Sequence, residues 1–252
     1  VQGQFVNNMN FKDEASSNTT MAQIYVNHNF NKNVAVRLGR QPIAFGNQGG
    51  WLYNGLEGYD GAQASYNNGK LSLTTGFGQL NASVFTDDTD PDGNVISYGV
   101  TGTDMYFAKG AYDFGFAKLG ADYVKFQGDT NSTDHYVAGD ELYGINLNIP
   151  VQKFNVFGEY WKNTNAADKY DTAWNAGLSY GKADWKKAGT WDLSVAYNDV
   201  DYNVYFGGGT WHNDMLKNFT AGYLNAYNLT FWTAIANVTL QKNVQLHAEY
   251  AF

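Results

Sequence analysis

Apolar and polar residues alternate along most of this chain, and the last run shows the pattern most clearly. There Val244, Leu246, Ala248, Tyr250 and Phe252 share one face, while Gln245, His247 and Glu249 share the other. Successive side chains of a strand point to opposite faces of a sheet. The alternation recurs with no amphipathic helix to cover the apolar faces, so lipid is one environment that could cover them. The pattern therefore predicts an all-β chain whose strands cross a membrane.

The connections between the predicted strands alternate in length. Short turns are expected near residues 31–33, 67–69, 110–115, 149–153, 181–189 and 241–243. Longer loops are expected at about 42–58, 80–99, 128–140, 163–170 and 199–228. Short periplasmic turns paired with longer extracellular loops are typical of bacterial outer-membrane barrels. The sequence thus predicts a transmembrane antiparallel β-barrel.

The number of predicted strands is roughly thirteen, whereas single-chain bacterial barrels have even numbers. We therefore expect a closed barrel of about 14–16 strands, formed by residues 1–252 as a single domain. The odd count indicates either that a strand is missing from one end of the chain, which we favour, or that a further strand lies within 80–99 or 199–228. The chain begins directly with a strand-like run at Val1 and shows no signal peptide, which indicates a mature or trimmed sequence.

Composition favours the same fold class. Hydrophobic residues make up 44% of the chain, yet the mean hydropathy is −0.44, because polar residues dilute the apolar ones. Aromatic residues reach 17%, as aromatic girdles at two membrane interfaces require. A soluble, aromatic-rich β-sandwich is the competing fold, and it would fold without detergent.

Cysteine and net charge exclude several functions. The chain has no Cys, which removes disulfides, thiol nucleophiles and Cys-based metal sites. Its formal net charge of −8 argues against nucleic acid as a partner. The four His residues are scattered and none lies in a recognisable catalytic motif, so we expect no enzymatic activity. An outer-membrane barrel hydrolase would need His and carboxylate side chains clustered at one rim.

Two segments resemble a known family. The run Val36-Arg37-Leu38-Gly39-Arg40-Gln41-Pro42-Ile43-Ala44-Phe45-Gly46, followed by Gly58-Tyr59-Asp60-Gly61-Ala62, resembles the "GRQ, glycine-rich loop, DG" segment of Gram-negative general porins. The ending Tyr250-Ala251-Phe252 resembles the C-terminal assembly signal of outer-membrane proteins. The Asn-rich, Cys-free style resembles the porins of diderm Firmicutes, in which a surface-layer-homology domain precedes the barrel. The resemblance implies a trimer of water-filled barrels in the outer membrane that passes small hydrophilic solutes and ions.

Charged residues of the predicted strands fall on the face opposite to the apolar set. The predicted pore-lining residues are Arg37, Lys118, Asp122, Glu159, Asp192, His247 and Glu249. A charge on the lipid side at the bilayer midplane costs on the order of 2–4 kcal/mol, so this placement is informative. The alternative is that these charges pair with one another and fill a closed interior. With about thirteen strands the interior should be too wide for side chains to fill, although a folded-in loop could close it.

Two arginines of one predicted strand precede the glycine-rich loop at 46–58. Arg37 is predicted either to line a constriction opposite acidic residues of an in-folded loop or to form a salt bridge with a neighbouring strand. Arg40 falls on the outer register, which indicates the rim or a subunit contact.

Residues 88–94 place carboxylates at alternate positions before a glycine, as a calcium loop does. Asp88, Asp90 and Asp92 would be the ligands, but the twelfth position is Gly99 rather than an acid. A solvated acidic extracellular loop is the alternative, and no other cofactor is expected.

Two further alternatives concern function. Residues 202–228 form an aromatic-rich loop that could stack sugars, pack on itself or contact another subunit. A structural tether between outer membrane and cell wall, with the pore secondary, is the alternative to a porin.

Overall fold

The structure is a computed structural model, and it describes residues 2–8, 18–46, 50–80, 88–89, 95–96, 103–127, 141–166, 170–201, 204 and 228–252. Fifteen strands lie in these ranges. They are β1 (Gln2–Asn8), β2 (Asn18–Asn29), β3 (Val34–Phe45), β4 (Tyr53–Asn67), β5 (Leu71–Leu80), β6 (Asp88–Thr89), β7 (Val95–Ile96), β8 (Thr103–Asp113), β9 (Lys118–Gln127), β10 (Glu141–Val151), β11 (Phe154–Asn163), β12 (Thr172–Gly181), β13 (Trp191–Asp201), β14 (Asn228–Gln241) and β15 (Val244–Ala251). In these ranges no helix is long and apolar enough to cross a bilayer.

The strands form one antiparallel meander, which confirms the predicted fold class. Thirteen strands pair in the order β1-β2-β3-β4-β5-β8-β9-β10-β11-β12-β13-β14-β15, and β6 pairs with β7 separately. Short and longer connections alternate along this sheet with one exception: the connection predicted to be short between β12 and β13 has nine residues (182–190), more than the seven at 46–52 and the eight at 164–171. The count equals the roughly thirteen strands read from the sequence, and the closed barrel of 14–16 strands stays a prediction.

The sheet curls around its own interior. The indole Nε1 of Trp51, which lies between β3 and β4, donates a hydrogen bond to Oδ1 of Asn198 on β13 at 2.9 Å. One buried apolar cluster draws residues from β3, β4, β5 and β8–β14. Because the same faces of such distant strands meet in one cluster, they must enclose a common space, which we call the lumen.

The outward face carries exposed apolar side chains between two aromatic rows. One row faces the long connections and consists of Tyr106, Tyr123, Tyr143, Tyr160, Trp174, Tyr197, Trp232 and Tyr250. The other row faces the short turns and includes Tyr112, Phe114, Phe116, Phe154, Tyr180 and Trp191. Between them lie exposed residues such as Ile145 (58% exposed) and Leu178 (46%). An apolar band between aromatic girdles is the exterior that a bilayer would cover.

The inward face changes character along each strand. Near the short turns it is polar, with Ser72, Thr74, Asn146, Asn148 and Ser179. Near the long connections the same face is apolar and buried, with Tyr59, Met105, Phe126, Leu142 and Trp161 at no more than 1% exposure. The apolar character of Met105 and Phe107 predicts the outer face for both, and this prediction is wrong: both lie inward and are buried, because a chain segment fills the lumen at this end.

Small residues make room for the inward aromatic rings. Gly144 on β10 pairs with Trp161 on β11, and a Cβ at Gly144 would lie 2.5 Å from the indole ring. Gly76 on β5 likewise pairs with Phe107 on β8, and a Cβ there would lie 2.6 Å from the phenyl ring. Glycine on the inner face therefore allows a neighbouring ring to lie flat on the wall.

Candidate constriction of the lumen

The end of β3, the start of β4 and the connection between them enter the lumen at the end where the inner face is apolar. We call their described residues, 43–46 and 50–53, the in-folded segment. Phe45 and Leu52 are fully buried, and the amide of Leu52 donates to the carbonyl of Phe45 at 3.1 Å. The Phe45 ring lies edge-on to Phe107 at 5.9 Å and to Trp161 at 6.4 Å between centroids. The segment is thus packed on the inner wall by aromatic contacts.

A ring of polar side chains marks the boundary between the two halves of the lumen. We call it the polar belt, and it consists of Lys109, Asp122, Glu159, Asn175, Asn198 and Thr233, on six strands from β8 to β14. Lys109 and Asp122 are cross-strand partners, as are Glu159 and Asn175, and Asn175 and Asn198. All except Lys109 are buried.

The polar belt holds the in-folded segment through its backbone and one side chain. The Lys109 ammonium donates to the carbonyl of Ala44, and the Asp122 carboxylate accepts from the backbone N–H of Gly46. Trp51 donates to Asn198, whose own Nδ2 donates to Thr233 Oγ1 at 3.2 Å. These bonds lie on β8, β9 and β13, so the segment is anchored on widely separated strands.

Glu159 joins the belt to the apolar half. Its Oε2 accepts from Trp161 Nε1 at 3.0 Å, and its Oε1 accepts from Asn175 Nδ2 at 2.9 Å. Gly46 adopts a φ of +93°, and a Cβ there would lie 2.7 Å from Glu159 Oε2. Only glycine therefore lets the segment turn this close to the wall.

The seven charged residues predicted to line a pore all lie on the inward face, although conduction past them stays a prediction. Asp122 and Glu159 belong to the polar belt. Lys118, next to the turn between β8 and β9, lines the turn-side cavity described below. Arg37 lies in register with Gln63 on β4, and its guanidinium carbon is 4.5 Å from the centre of the Tyr25 ring. Arg37 forms no salt bridge with any side chain that the structure describes; the side chain of Glu57, the acidic residue of the glycine-rich loop, lies outside them, so both predicted roles of Arg37 stay predictions.

The other three predicted residues meet in one hydrogen-bonded chain on β13–β15. His247 contacts Glu249 Oε1 through Nε2 at 2.5 Å and Asn237 Oδ1 through Nδ1 at 2.6 Å. Asn237 Nδ2 donates to Asp192 Oδ1 at 2.7 Å. Since Asn237 uses its N–H on Asp192, its oxygen must accept from His247. These inner-face side chains of β15 are partly exposed, unlike the buried inner face of the central strands at the loop end.

A polar cavity of about 360 Å³ lies on the turn side of the in-folded segment. Its wall includes Gln63, Ser72, Thr74, Asn146 and Asn148, and Lys109 and Asp122 of the belt stand at its apolar end. The lumen therefore holds a hydrophilic vestibule that ends at the in-folded segment. The interior is too wide for wall side chains alone to fill it, and a folded-in chain segment occupies one half, which is the alternative that the sequence left open.

Sequence reasoning missed Lys109, Asn198 and Trp51. Lys109 shares its face with Met105 and Phe107, whose apolar character predicts the outer face, so the alternation gave no reason to expect an inward charge on β8. Trp51 lies in a predicted loop, and only its flanking glycines and aromatics hinted at a packed segment.

Arg40 lies on the outward face, as its register predicts. It pairs with Asp60 on β4, with Nε to Oδ1 at 2.9 Å and the second nitrogen to Oδ2 at 2.8 Å. From β8 to β15, the outward aromatic residue beside the long connections lies about one residue nearer to the short turns on each successive strand. Followed in the opposite direction to β4 and β3, this progression leads to Asp60 and Arg40, where an ion pair takes the place of an aromatic pair.

The calcium loop lies mostly outside the described residues. Asp88 belongs to β6, while Asp90 and Asp92 lie outside them. In the part of the chain that the structure describes, no group of three or more His, Asp or Glu side chains is arranged to hold a metal ion.

Comparisons with known proteins gave structural likenesses only. No protein-family model and no curated protein matches the sequence. Among solved structures, OmpT, an outer membrane protein of Vibrio cholerae in its trimer form, is 14% identical with a TM-score of 0.47, over 94% of this chain and 82% of that one. OccD1 (OprD) is 12% identical with a TM-score of 0.38, over 97% of this chain and 75% of that one. OpdL of Pseudomonas aeruginosa is 11% identical with a TM-score of 0.38, over 94% and 78%. Likenesses at this level do not identify a family.

Proposed function

We propose that this chain is an outer-membrane channel for small hydrophilic solutes and ions, assembled as a trimer. The observation that carries the proposal is the difference in polarity between the outer and the inner face of the sheet. The exterior is apolar between two aromatic rows, whereas the interior holds a polar cavity and all seven charged residues named above. An exterior suited to lipid and an interior suited to water are the requirements of a barrel channel.

The in-folded segment sets the width of this channel. It fills the lumen beside β8–β13, while the inner faces of β2, β3, β14 and β15 keep exposed polar side chains such as Asn27 and His247. Solutes would pass through the polar vestibule and then along this less filled side. Arg37 lies on β3 at one border of that route, and Glu249 lies on β15 at the other.

The first test is single-channel recording of the detergent-purified protein in a planar bilayer. We expect uniform conductance steps, in groups of three if the channel is a trimer. A folded barrel that inserts without conducting would overturn the proposal.

Cysteine labelling then tests which face meets water. The chain has no native cysteine, so a single introduced thiol is unambiguous. Asn148→Cys, on the inward face, should lose conductance when a charged methanethiosulfonate reagent is added. The matched control is its outward neighbour Leu147→Cys, which should not respond. Equal responses would contradict the assignment of faces.

A further inference from the structure

The short turns carry a strongly biased set of charges. Six turns are described at residues 30–33, 68–70, 114–117, 152–153, 182–190 and 242–243. They contain seven lysines, which are Lys32, Lys70, Lys153, Lys182, Lys186, Lys187 and Lys242. They contain one acidic residue, Asp184, although the whole chain has 24 acidic residues and a net charge of −8. We call these seven residues the turn lysines.

The turn lysines are exposed and carry no countercharge within the described residues. The ion pairs of the described residues lie elsewhere. They join Arg40 to Asp60, Lys125 to Glu141, Lys162 to Asp171 and His247 to Glu249. The lysines of the opposite end, Lys125 and Lys162, are therefore neutralised by neighbours, whereas the turn lysines are not. Among the described residues, the rim at the turn end therefore carries a surplus of positive charge.

Outward apolar side chains adjoin the turn lysines. Phe30 (64% exposed) is two residues from Lys32, Phe154 (44%) follows Lys153, and Trp185 (55%) precedes Lys186. Leu240 (61%) and Val244 (42%) flank Lys242. The Lys186 ammonium lies 5.2 Å from the centre of the Trp185 ring. The ammonium groups thus stand just beyond the apolar band, where a lysine stem can lie along hydrocarbon while its head reaches the polar interface.

We infer that the turn lysines bind the anionic head groups of phospholipids in the leaflet at the turn end. The ammonium groups supply the charge, and the adjoining apolar side chains place that charge at head-group depth. The inference rests on the barrel being embedded in a membrane, as proposed above, and not on conduction through the lumen. A polymer of the cell wall would need the same charges but would have no use for the apolar side chains beside them.

The test measures lipid selectivity by electron paramagnetic resonance of the full chain in phosphatidylcholine vesicles. Spin-labelled phosphatidylglycerol and spin-labelled phosphatidylcholine are compared for association with the barrel. We expect phosphatidylglycerol to associate about fivefold more strongly, the factor for one lysine near an anionic surface. High salt should reduce this ratio, since the attraction is electrostatic.

The variant Lys153→Gln/Lys186→Gln/Lys187→Gln/Lys242→Gln should lower the ratio clearly, while Lys32, Lys70 and Lys182 keep it above one. The control Lys125→Gln/Lys162→Gln removes two lysines of the opposite end that already have carboxylate partners, and it should keep the ratio of the unmodified chain. Heat-modifiable migration on gels establishes beforehand that each variant is folded and inserted. A chain that never inserts into vesicles would overturn the proposed membrane function itself.

Two outcomes would overturn the lipid inference alone. One is an inserted barrel with equal association of the two lipids, or with a preference that the four substitutions leave unchanged. The other is lysine-dependent cosedimentation with purified cell-wall sacculi in the absence of lipid selectivity, which would assign the turn lysines to the polymer.

Discussion

The two halves of the lumen are built by the same strands and the same face, yet they are chemically different. On β5, Leu80 at the loop end is buried in the apolar cluster, while Ser72 at the turn end lines the polar cavity. On β10, Leu142 is fully buried, whereas Asn148 lines the cavity. An alternating pattern therefore shows which side chains point inward, but their polarity depends on whether protein or water fills that part of the interior.

The polar belt explains how the two halves meet. Backbone groups of the in-folded segment that enter the lumen need hydrogen-bond partners, since a buried unpaired group costs about 1–3 kcal/mol. Lys109 and Asp122 supply these partners at the boundary, and Asn198 accepts a hydrogen bond from the indole of Trp51. The belt thus allows the apolar half to end abruptly where the vestibule begins.

The largest effect is expected from removing the belt cation. Lys109→Met would leave the buried Asp122 carboxylate without the facing ammonium and the Ala44 carbonyl without its donor, and together these losses should cost about 3 kcal/mol. Urea unfolding in lipid vesicles measures the loss. Lys118→Met, on the same face but exposed, is the control and should change stability by less than about 1 kcal/mol. Equal losses of unfolding free energy in both variants would contradict the role of Lys109 in holding the in-folded segment.

A smaller effect is expected from adding one methyl group in the apolar half. In Gly144→Ala the new Cβ would lie 2.5 Å from the Trp161 ring, and such overpacking costs about 1–3 kcal/mol. Gly110→Ala provides the matched control, because the nearest atom to its Cβ would be a Leu73 methyl group at 3.3 Å on the outer face. The same unfolding measurement should show a clear loss for the first and little for the second. If Gly144→Ala is as stable as the original chain, Trp161 does not lie flat over residue 144.

The smallest effect is expected in the vestibule. Asn148→Ala removes a polar side chain that faces water, so the free energy of unfolding should change by no more than about 0.5 kcal/mol. Asn198→Ala in the belt removes the partners of Trp51 and Thr233 and should cost about 1–3 kcal/mol. Similar changes in the free energy of unfolding for Asn148→Ala and Asn198→Ala would contradict the distinction between a water-facing vestibule and a buried polar belt.

The sequence predicts the strands and most of their faces, because lipid and water impose opposite demands on alternate residues. β15 was assigned correctly, with Leu246 and Tyr250 outward and exposed. β8 was not, because Met105 and Phe107 are apolar and were placed toward lipid. A shift of one residue exchanges the two faces of a strand, so Lys109 was lost with them.

The in-folded segment could not be derived in the same way. Its side chains contact strands that are far away in sequence, as the bond from Trp51 to Asn198 shows. No periodicity within residues 43–53 specifies a partner on β13. The glycines that permit these contacts, such as Gly46 beside Glu159, are recognisable only when the wall is in place.

The most direct test of the constriction is the conductance of Trp51→Ala in a planar bilayer. This variant removes the indole and its bond to Asn198, and Trp185→Ala, which removes an exposed outward indole, is the control. The structure predicts a larger single-channel conductance for Trp51→Ala and an unchanged conductance for Trp185→Ala. A folded Trp51→Ala barrel with the original conductance would show that the in-folded segment does not limit the channel.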